Sequence, residues 1–590
     1  MDFKIFDYIF KTDNDIKINF VPISDSNQIK RIKICVDLQA AVIPIPISIR
    51  WRTNGGGIYT IWSPLAGHDR IIEPNWRKKQ NVSRSASGIP LQCYMGSDGK
   101  NIITVSCSDA KTPLSIESGI LEETGELEWK LILFSQKTGL IEKYETEIVI
   151  NEQRIPYEDA ISYSMNCCKV SDEKEDEKPA DAFLPVYSTW YSYHQHITEN
   201  KLLPELRKAA ELGLKTVIID DGWQTDDNGR GYSYCGKWQT AASKIPDMRD
   251  FCNKVHDLGM KVMLWFSVPF VGKYSEVYER FSDKFLDGTK NDFSVLDPRY
   301  PEVREYLISC YERAVREWDL DGLKLDFIDS FIITDESKEN DDKMDTLSLE
   351  DGVCVLLRDA YKKLKSLKPD ILIEFRQSYI GPVMQQYGNM LRAADCPKDA
   401  VTNRIYTVDL RMTTNKAAVH SDMLMWNYDD SVETAAEQLI NVMFSVPQIS
   451  MRIGELPEEH IRMLEFYLWL WEENAEILMK GQIRAKKPEA NYSIVTAQRN
   501  HKLISVAYSD KVILTEQAFD SIVFINGTGS GGLYADGVLC TRAYQYTVYD
   551  CMGNPIENGT TKGDGCIKKF NVPHAGVLQL KNNILLSGRE

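Results

Sequence analysis

Residues 301–329, PEVREYLISCYERAVREWDLDGLKLDFID, contain a helical pattern followed closely by a short apolar run. Apolar residues recur at helical spacing over Pro301–Trp318, which predicts an amphipathic helix. Gly322–Phe327 is short and rich in apolar residues, which is typical of a buried strand. A helix that leads directly into a buried strand is part of the repeating unit of α/β proteins. The same alternation continues on both sides of this segment.

Eight short apolar runs alternate with helical stretches between about residues 183 and 480. Eight β/α repeats over about 300 residues predict a closed parallel (β/α)8 TIM barrel. An open, doubly wound sheet is the alternative, but no Gly-rich phosphate loop follows the first strand to favour it. The predicted strands are Leu184–Thr189, Thr216–Asp220, Val262–Ser267, Gly322–Phe327, Ile371–Arg376, Met390–Ala394, Met423–Trp426 and Gln448–Ile453.

The segments that flank the barrel have the pattern of β structure, so the chain is predicted to be multidomain. Residues 1–175 contain short β-branched runs, such as Thr146–Ile150, separated by Gly and Asn clusters, and predict an N-terminal β-sandwich. Residues 488–590 predict a small C-terminal β-sandwich in the same way. Between the N-terminal region and the barrel at 183–482, the charged run Ser171–Asp181 predicts a solvated linker.

Composition excludes several classes of function. The 590-residue chain has a net charge of -17, which repels phosphate backbones and anionic membranes, so neither nucleic acid nor a membrane is an expected partner. Its thirteen cysteines lack metal-ligand spacing, so no metal is predicted and the thiols are expected to be reduced. The first ten residues carry acids where a signal peptide has basic residues, which favours a cytoplasmic protein. A secreted form whose signal was removed is the alternative.

The fourth predicted strand holds a lysine and an aspartate on one face. Reactive groups of such barrels lie at the carboxyl ends of the strands, and strand alternation places Lys324 and Asp326 on the same side. A neighbouring ammonium keeps a carboxylate ionised, as the nucleophile of a glycosidase must be. A purely structural ion pair is an equally good interpretation of this spacing.

The sixth predicted strand leads to a second carboxyl group, Asp395, three residues after Arg392. Retaining glycosidases need two carboxyl groups about 5–5.5 Å apart, and Asp395 could face Asp326 across the barrel mouth. Partial burial and the negative charge of Asp326 would favour the protonated form that an acid catalyst needs. Asp399, four residues deeper in the loop, is the rival for this role.

Further polar and aromatic residues at strand ends are candidates for substrate binding. Asp220 and Asp221 end the second strand and could accept hydrogen bonds from neighbouring hydroxyls, with Trp223 stacking on a ring. A helix cap with a turn glycine is the alternative for this pair. Glu374 and Arg376 share a face of the fifth strand and could contact substrate or each other.

Two other tryptophans are placed near the predicted site. Trp190 follows the first strand and is a candidate floor for a sugar ring, whereas Trp265 in the third strand either lines the pocket or packs inside the barrel. The run His420-Ser-Asp422, before the predicted seventh strand, is interpreted as structural.

Together these strand ends resemble glycoside hydrolase family 36 and its clan of α-galactosidase relatives. The motifs that carry the resemblance are Ile219-Asp-Asp-Gly-Trp-Gln224, Lys324-Leu-Asp326 and Arg392-Ala-Ala-Asp395. The resemblance implies hydrolysis of terminal α-galactosides by double displacement with retention. Asp326 matches the nucleophile of the family, and Asp395 matches its acid/base.

The resemblance also assigns contacts to the sugar. Asp220 and Asp221 match the acids that hold O4 and O6 of galactose, and Lys324 and Arg392 match positions that bind hydroxyls, with Arg392 near O2. No cofactor and no metal are implied. A homo-oligomer is expected, because members of the family often associate.

The sequence departs from the common bacterial pattern after the fifth strand. Glu374-Phe-Arg-Gln-Ser378 replaces a Cys-x-Ser-Gly-Gly run that helps to recognise the C2 hydroxyl, so an α-N-acetylgalactosaminidase is an alternative. The Arg-Ala-x-Asp form resembles the plant raffinose-synthase branch, so a galactosyl transferase is another. An inactive carbohydrate-binding protein is the alternative from another class, and the presence of both carboxyl groups disfavours it.

Overall fold

A computed structural model describes residues 2–12, 16–168, 177–288, 292–414 and 416–582. In this part of the chain, twelve strands precede the barrel and form two six-stranded antiparallel sheets, in the orders β1-β2-β5-β11-β10-β7 and β3-β4-β12-β9-β8-β6. The strands are β1 (Asp2–Ile5), β2 (Tyr8–Thr12), β3 (Lys17–Ser26), β4 (Ile29–Val42), β5 (Ile47–Thr53), β6 (Thr60–Trp62), β7 (Lys79–Ser83), β8 (Leu91–Met95), β9 (Asn101–Cys107), β10 (Leu114–Ile120), β11 (Leu127–Leu133) and β12 (Ile141–Asn151).

The two sheets pack face to face around one aromatic and aliphatic core. Alternate residues of β11 are buried, as period-2 strands with one covered face require. Trp51 and Trp129 stack at the centre of this core, with ring centroids 6.1 Å apart. The predicted N-terminal β-sandwich is therefore confirmed, and helix α1 (Tyr157–Cys167) follows it.

The central feature is a closed barrel of eight parallel strands, as predicted. Its order is β13-β14-β15-β18-β19-β20-β21-β22, and a small hairpin, β16 and β17, lies in the loop after β15. The strands are β13 (Val186–Ser188), β14 (Thr216–Ile219), β15 (Lys261–Ser267), β16 (Phe270–Gly272), β17 (Phe293–Val295), β18 (Gly322–Asp326), β19 (Leu372–Arg376), β20 (Met390–Arg392), β21 (Ala418–Leu424) and β22 (Val446–Ile449).

Helices connect these strands and cover the barrel. Their apolar faces are buried against it, as the periodicity of α6 predicts. The helices are α2 (Trp190–Tyr193), α3 (Glu199–Glu211), α4 (Met248–His256), α5 (Tyr278–Phe281), α6 (Pro301–Trp318), α7 (Leu349–Leu367), α8 (Ala400–Thr413), α9 (Val432–Asn441), α10 (Glu458–Glu473) and α11 (Ala475–Lys480). No helix in the described ranges combines the length and the apolar content needed to cross a bilayer.

The last two barrel strands differ in extent from their predictions. β21 begins at Ala418, five residues before the predicted start at Met423, because His420, Ser421 and Asp422 belong to the strand and are fully buried. Buried polar residues hide a strand from an analysis based on apolar runs. β22 begins two residues earlier and ends four residues earlier than predicted.

The remaining strands form a seven-stranded sheet, β23-β24-β25-β27-β32-β29-β30, and a three-stranded sheet, β26-β28-β31. These sheets enclose an apolar core of their own, so the predicted C-terminal β-sandwich is confirmed. The strands are β23 (Gln482–Lys486), β24 (Ile494–Arg499), β25 (Lys502–Ala507), β26 (Val512–Thr515), β27 (Ser521–Asn526), β28 (Leu533–Gly537), β29 (Tyr544–Tyr549), β30 (Pro555–Thr560), β31 (Lys568–Phe570) and β32 (Val577–Asn582).

The predicted domain limits, 1–175, 183–482 and 488–590, remain predictions. β23 already pairs with the C-terminal sheet from Gln482 onward. Most of the predicted linker, Ser171–Asp181, falls on residues 169–176, which lie outside the described residues.

One buried carboxylate joins all three regions of the fold. Asp409 on α8 accepts a hydrogen bond from Trp62 Nε1 at 2.8 Å and forms an ion pair with Arg70 Nη2 at 2.7 Å. Tyr492, which precedes β24, also donates its hydroxyl to Asp409. Since a buried charge must be paired, this cluster ties the position of both flanking regions to one barrel helix.

Candidate active site

Two aspartates lie at the same rim of the barrel. Asp326 is the last residue of β18, and Asp395 follows the end of β20 by three residues. Because all eight strands are parallel, both positions are at the carboxyl ends of the strands, where barrel enzymes place their reactive groups. The two carboxylates are close enough to interact electrostatically.

Four donors hold the carboxylate of Asp326. Oδ1 accepts hydrogen bonds from Arg376 Nε at 2.7 Å, from the Tyr379 hydroxyl at 2.8 Å and from the Phe327 backbone N–H at 2.8 Å. Oδ2 accepts one hydrogen bond, from Trp265 Nε1 at 3.0 Å. The carboxylate is therefore fixed in orientation, and Oδ2 accepts fewer hydrogen bonds than Oδ1.

The charges around Asp326 keep it ionised. Burial raises the pKa of this carboxyl, but Arg376, Lys324 and Arg392 together outweigh burial and hold the pKa well below its usual range. A carboxylate that stays charged while partly desolvated has the property that a nucleophile needs.

Lys324 has a different direct partner from the one that its spacing suggested. Its Nζ donates to Asp220 Oδ2 at 2.6 Å, and both side chains are buried. The cation in direct contact with Asp326 is Arg376, from the next strand of the barrel. Side chains that point into a barrel from alternate strands lie in the same layer. Because β14 and β18 are alternate strands, Lys324 of β18 can contact Asp220 at the end of β14.

Two amide side chains hold Asp221. Gln195 Nε2 donates to Oδ2 and Gln224 Nε2 donates to Oδ1, each at 2.7 Å. Burial raises the pKa of Asp221 to about 6 despite these hydrogen bonds. Sequence reasoning did not identify Gln195, because an isolated glutamine in a loop carries no periodic or motif signal.

Arg392 is surrounded by three carboxylates. It donates from Nη2 to Asp395 Oδ1 at 2.9 Å and from Nη1 to Asp422 Oδ1, and its Nε lies 3.7 Å from Glu374 Oε1. The guanidinium is almost completely buried, and these carboxylates raise its pKa above the usual value against the effect of burial. This arginine is therefore a fixed positive charge at the rim.

The protonation state of Asp395 differs from the expectation. Desolvation raises the pKa of Asp395, but Arg392 and then Lys324 lower it, and the pKa lies below the usual value. The side chain is also 56% exposed, more open than expected. The expected protonated form is therefore wrong for this arrangement, because the ion pair with Arg392 outweighs burial and the charge of Asp326.

Asp422 is a buried acid that sequence reasoning did not place at the site. Its Oδ2 accepts hydrogen bonds from the Tyr191 hydroxyl at 2.9 Å and from the Cys396 backbone N–H at 2.7 Å. Burial raises its pKa, and Asp395 adds to this effect. The polar run His420-Ser-Asp422 could have indicated a site residue in this strand, but the sequence analysis interprets it as structural.

Asp399, the rival of Asp395, caps helix α8. Its Oδ1 accepts from the Thr402 backbone N–H at 3.0 Å and its Oδ2 from the Thr402 hydroxyl at 2.6 Å. An aspartate with this pattern is explained by helix capping alone. The geometry thus favours Asp395 for the role at the rim.

Glu374 and Arg376 do not pair with each other, although both project from β19. Glu374 is buried beside Arg392 and accepts a hydrogen bond from Gln448, while Arg376 contacts Asp326. Burial raises the pKa of Glu374. Their predicted contacts with substrate remain predictions.

The three tryptophans differ in exposure. Trp223 is fully buried, packs against Phe266 and Trp318, and donates to the Trp265 carbonyl oxygen at 2.9 Å. The structure therefore contradicts the prediction that a sugar stacks on Trp223, because its ring has no open face. Trp265 is nearly buried and contacts Asp326, whereas Trp190 remains partly exposed at the start of α2.

Comparison with known proteins relates the barrel to one family. Residues 176–407 match the Melibiase family model. The chain is 30% identical to the α-galactosidase Mel36A of Lactobacillus acidophilus over 160 residues, which cover 25% of this chain and 20% of that protein. The match thus spans about a fifth of the length of this curated relative.

Solved structures extend the likeness to almost the whole chain. The α-galactosidase from Lactobacillus brevis has a TM-score of 0.66 at 14% identity, over 98% of this chain and 81% of that one. A variant of the GH36 α-galactosidase AgaA from Geobacillus stearothermophilus, in complex with stachyose, has a TM-score of 0.61 at 14% identity, over 98% and 88%. Likeness at such low identity shows a shared fold. Residues 176–407 are thus similar to the Melibiase family model, and about 160 residues of the chain are similar to a curated α-galactosidase.

Proposed function

We propose that this protein is a retaining α-galactosidase that removes terminal α-linked galactose by double displacement. The observation that carries the proposal is that Asp326, paired with Arg376, and Asp395 lie at the carboxyl ends of β18 and β20 on one barrel rim. The melibiase match and the names of the relatives support galactose as the sugar. The stachyose complex of a protein with the same fold supports small oligosaccharides as substrates.

In the first step, Asp326 attacks the anomeric carbon. A C1–Oδ2 bond forms, the glycosidic C1–O bond breaks, and the leaving oxygen takes a proton from Asp395. Oδ2 is the attacking atom in this proposal because Oδ1 already accepts three hydrogen bonds and Oδ2 only one. In the second step water attacks C1, Asp395 accepts a proton from that water, and the bond to Asp326 breaks.

This cycle requires the substrate to raise the pKa of Asp395. The ion pair with Arg392 favours the ionised form of Asp395. A sugar hydroxyl that takes a hydrogen bond from Arg392, together with exclusion of water, would weaken that ion pair and favour the proton. After the glycosyl ester forms, Asp326 is neutral and no longer raises the pKa of Asp395, which suits its second role as a base.

Residues that face this rim are proposed to bind the sugar. Asp220 and Asp221 would accept hydrogen bonds from the hydroxyls at C4 and C6, and Lys324 and Arg392 would donate to other hydroxyls. Trp190 is the tryptophan with exposed surface at this end of the barrel, and we propose it as the stacking face. Trp265 acts instead as a positioning residue for Asp326 through its indole N–H.

A screen of aryl α-glycosides, followed by trapping with a 2-fluoro glycoside, tests the reaction. The α-galactoside should be cleaved, and mass spectrometry should place the label on Asp326. Asp326→Asn should lower kcat by at least about a thousandfold while leaving thermal unfolding nearly unchanged. A label on another residue would refute the assignment.

The same screen separates the alternatives. Preferred cleavage of the 2-acetamido substrate would indicate an α-N-acetylgalactosaminidase, and products that carry an added acceptor sugar would indicate a transferase. Sugar binding without cleavage of any α-glycoside would indicate an inactive carbohydrate-binding protein.

We also propose a cytoplasmic location for the protein. The described residues contain no disulfide among thirteen cysteines, which is typical of a reducing compartment. Cell fractionation tests the location. The expected homo-oligomer stays a prediction that light scattering in solution can check.

A further inference from the structure

A cavity lies at the end of the barrel opposite the two aspartates. It has a volume of about 670 Å³, within the range of small-molecule sites. Its walls come from α1 of the N-terminal region, from the carboxyl end of α8 and the start of β21, and from α11 and β23. Because β21 begins there, this is the amino-terminal face of the barrel, where barrel enzymes do not place their catalytic groups.

Arg411, at the end of α8, lines this cavity without an acidic partner in the described part of the chain. Its Nη2 donates to the carbonyl oxygens of Leu478 at 3.0 Å and Gly481 at 3.4 Å, and its Nε is buried with no hydrogen-bond partner. Burial lowers the pKa of Arg411 to about 10. The buried arginines Arg70 and Arg392, by contrast, each pair with carboxylates.

Basic residues outnumber acids in the wall: Lys178, Arg411, Lys416, Lys480 and Arg484 line the cavity together with Glu158, Asp159 and Glu177. Arg484 and Asp159 neutralise each other through an ion pair of 2.8 Å. Glu158 accepts a hydrogen bond from the Ala485 backbone N–H, and burial raises its pKa to about 7, so it carries only part of a negative charge near neutral pH. Lys480, whose Nζ lies 5.7 Å from the centre of the Phe183 ring, is a further cation of the wall.

A largely covered guanidinium with no anion beside it is unfavourable, and an oxyanion bound in the cavity would offset its charge. We propose that this cavity binds a small molecule that carries an oxyanion, a phosphate or a carboxylate group, with Arg411 as the main contact. The site is separate from the catalytic rim, so the proposal does not depend on the reaction proposed above.

Thermal unfolding and titration calorimetry of the full chain test the proposal. Inorganic phosphate and citrate serve as probes, each compared with sodium chloride at matched ionic strength. Saturable stabilisation is expected with at least one probe, and the responsive probe distinguishes a phosphate ligand from a carboxylate ligand. Stabilisation that follows ionic strength alone would overturn the proposal.

Two arginine variants distinguish this site from general surface binding. Arg411→Met should weaken the affinity roughly tenfold or more, because a charge-assisted contact is lost. Arg207→Met, which removes an exposed arginine on α3, should leave the affinity unchanged. If Arg411→Met does not fold, Lys480→Met should still weaken binding several-fold. Equal affinity in the wild type and in the variant at the cavity would refute the site.

Discussion

At Asp326, one direct cation and two further positive charges maintain the ionised state. Arg376 is the cation that touches the carboxylate, and Lys324 acts from a greater distance while it binds Asp220. The pKa of Asp326 is therefore low enough that its protonation should not limit the wild-type enzyme in the ordinary acidic range.

Replacing Arg376 should bring the protonation of Asp326 into the pH range in which activity is measured. Arg376→Met removes a positive charge that favours the carboxylate, so the pKa of Asp326 rises, by roughly one to three units. The acidic limb of the kcat/KM profile should then appear at higher pH than in the wild type. Arg376→Lys keeps the charge and should restore most of the profile. An unchanged acidic limb in Arg376→Met would contradict the role given to this ion pair.

Asp422 should act on Asp395 through the arginine that they share. Asp422→Asn removes one carboxylate from Arg392, which leaves more of the positive charge to act on Asp395. The pKa of Asp395 should fall, so the alkaline limb of the kcat profile, which reports the enzyme–substrate complex, should move to lower pH by about one unit. Tyr191→Phe removes only a hydrogen bond to Asp422 and should shift the limb less. No shift in Asp422→Asn would mean that Asp422 is uncharged in the active enzyme.

At the scale of single elements, the loop between β20 and α8 contains two aspartates with different tasks. Asp399 caps α8, so Asp399→Ala should cost about 1 kcal/mol of stability and change kcat/KM only several-fold. Asp395→Ala should lower kcat/KM by about a hundredfold or more while unfolding stays nearly unchanged. Denaturant unfolding and kinetics on the same samples measure both effects. If Asp399→Ala lowered kcat/KM by about a hundredfold and Asp395→Ala lowered it only several-fold, Asp399 would be the acid/base residue.

Across the whole molecule, Asp409 couples the barrel to both flanking β regions. Asp409→Ala leaves Arg70 buried without a counter-charge, which should destabilise the protein by about 3–5 kcal/mol. Tyr492→Phe removes the hydrogen bond to Asp409 and those that the hydroxyl accepts from Trp62 and Arg70, but it keeps the ion pair, so it should cost less, about 2 kcal/mol. The shift of the denaturation midpoint, followed by tryptophan fluorescence, measures the difference. Equal midpoints for Asp409→Ala and the wild type would show that the cluster does not stabilise the docked regions.

The fold could be predicted from the sequence because its signal is local. Apolar runs such as Gly322–Phe327, separated by helical stretches such as Pro301–Trp318, specify barrel strands and their covering helices without knowledge of distant contacts. The same reasoning identified Asp326 and Asp395 as rim residues, because each lies at or just after the end of an apolar strand.

Only the tertiary structure decided which groups pair. Strand alternation assigns Lys324 to the same face as Asp326, but the twist and stagger of the closed barrel bring Lys324 to Asp220 and Arg376 to Asp326. The burial of Trp223 depends in the same way on elements far apart in the chain. Sequence pattern determined the strand and the face of Lys324, Asp326 and Arg376, whereas contacts across the barrel depend on its closure, which no local window contains.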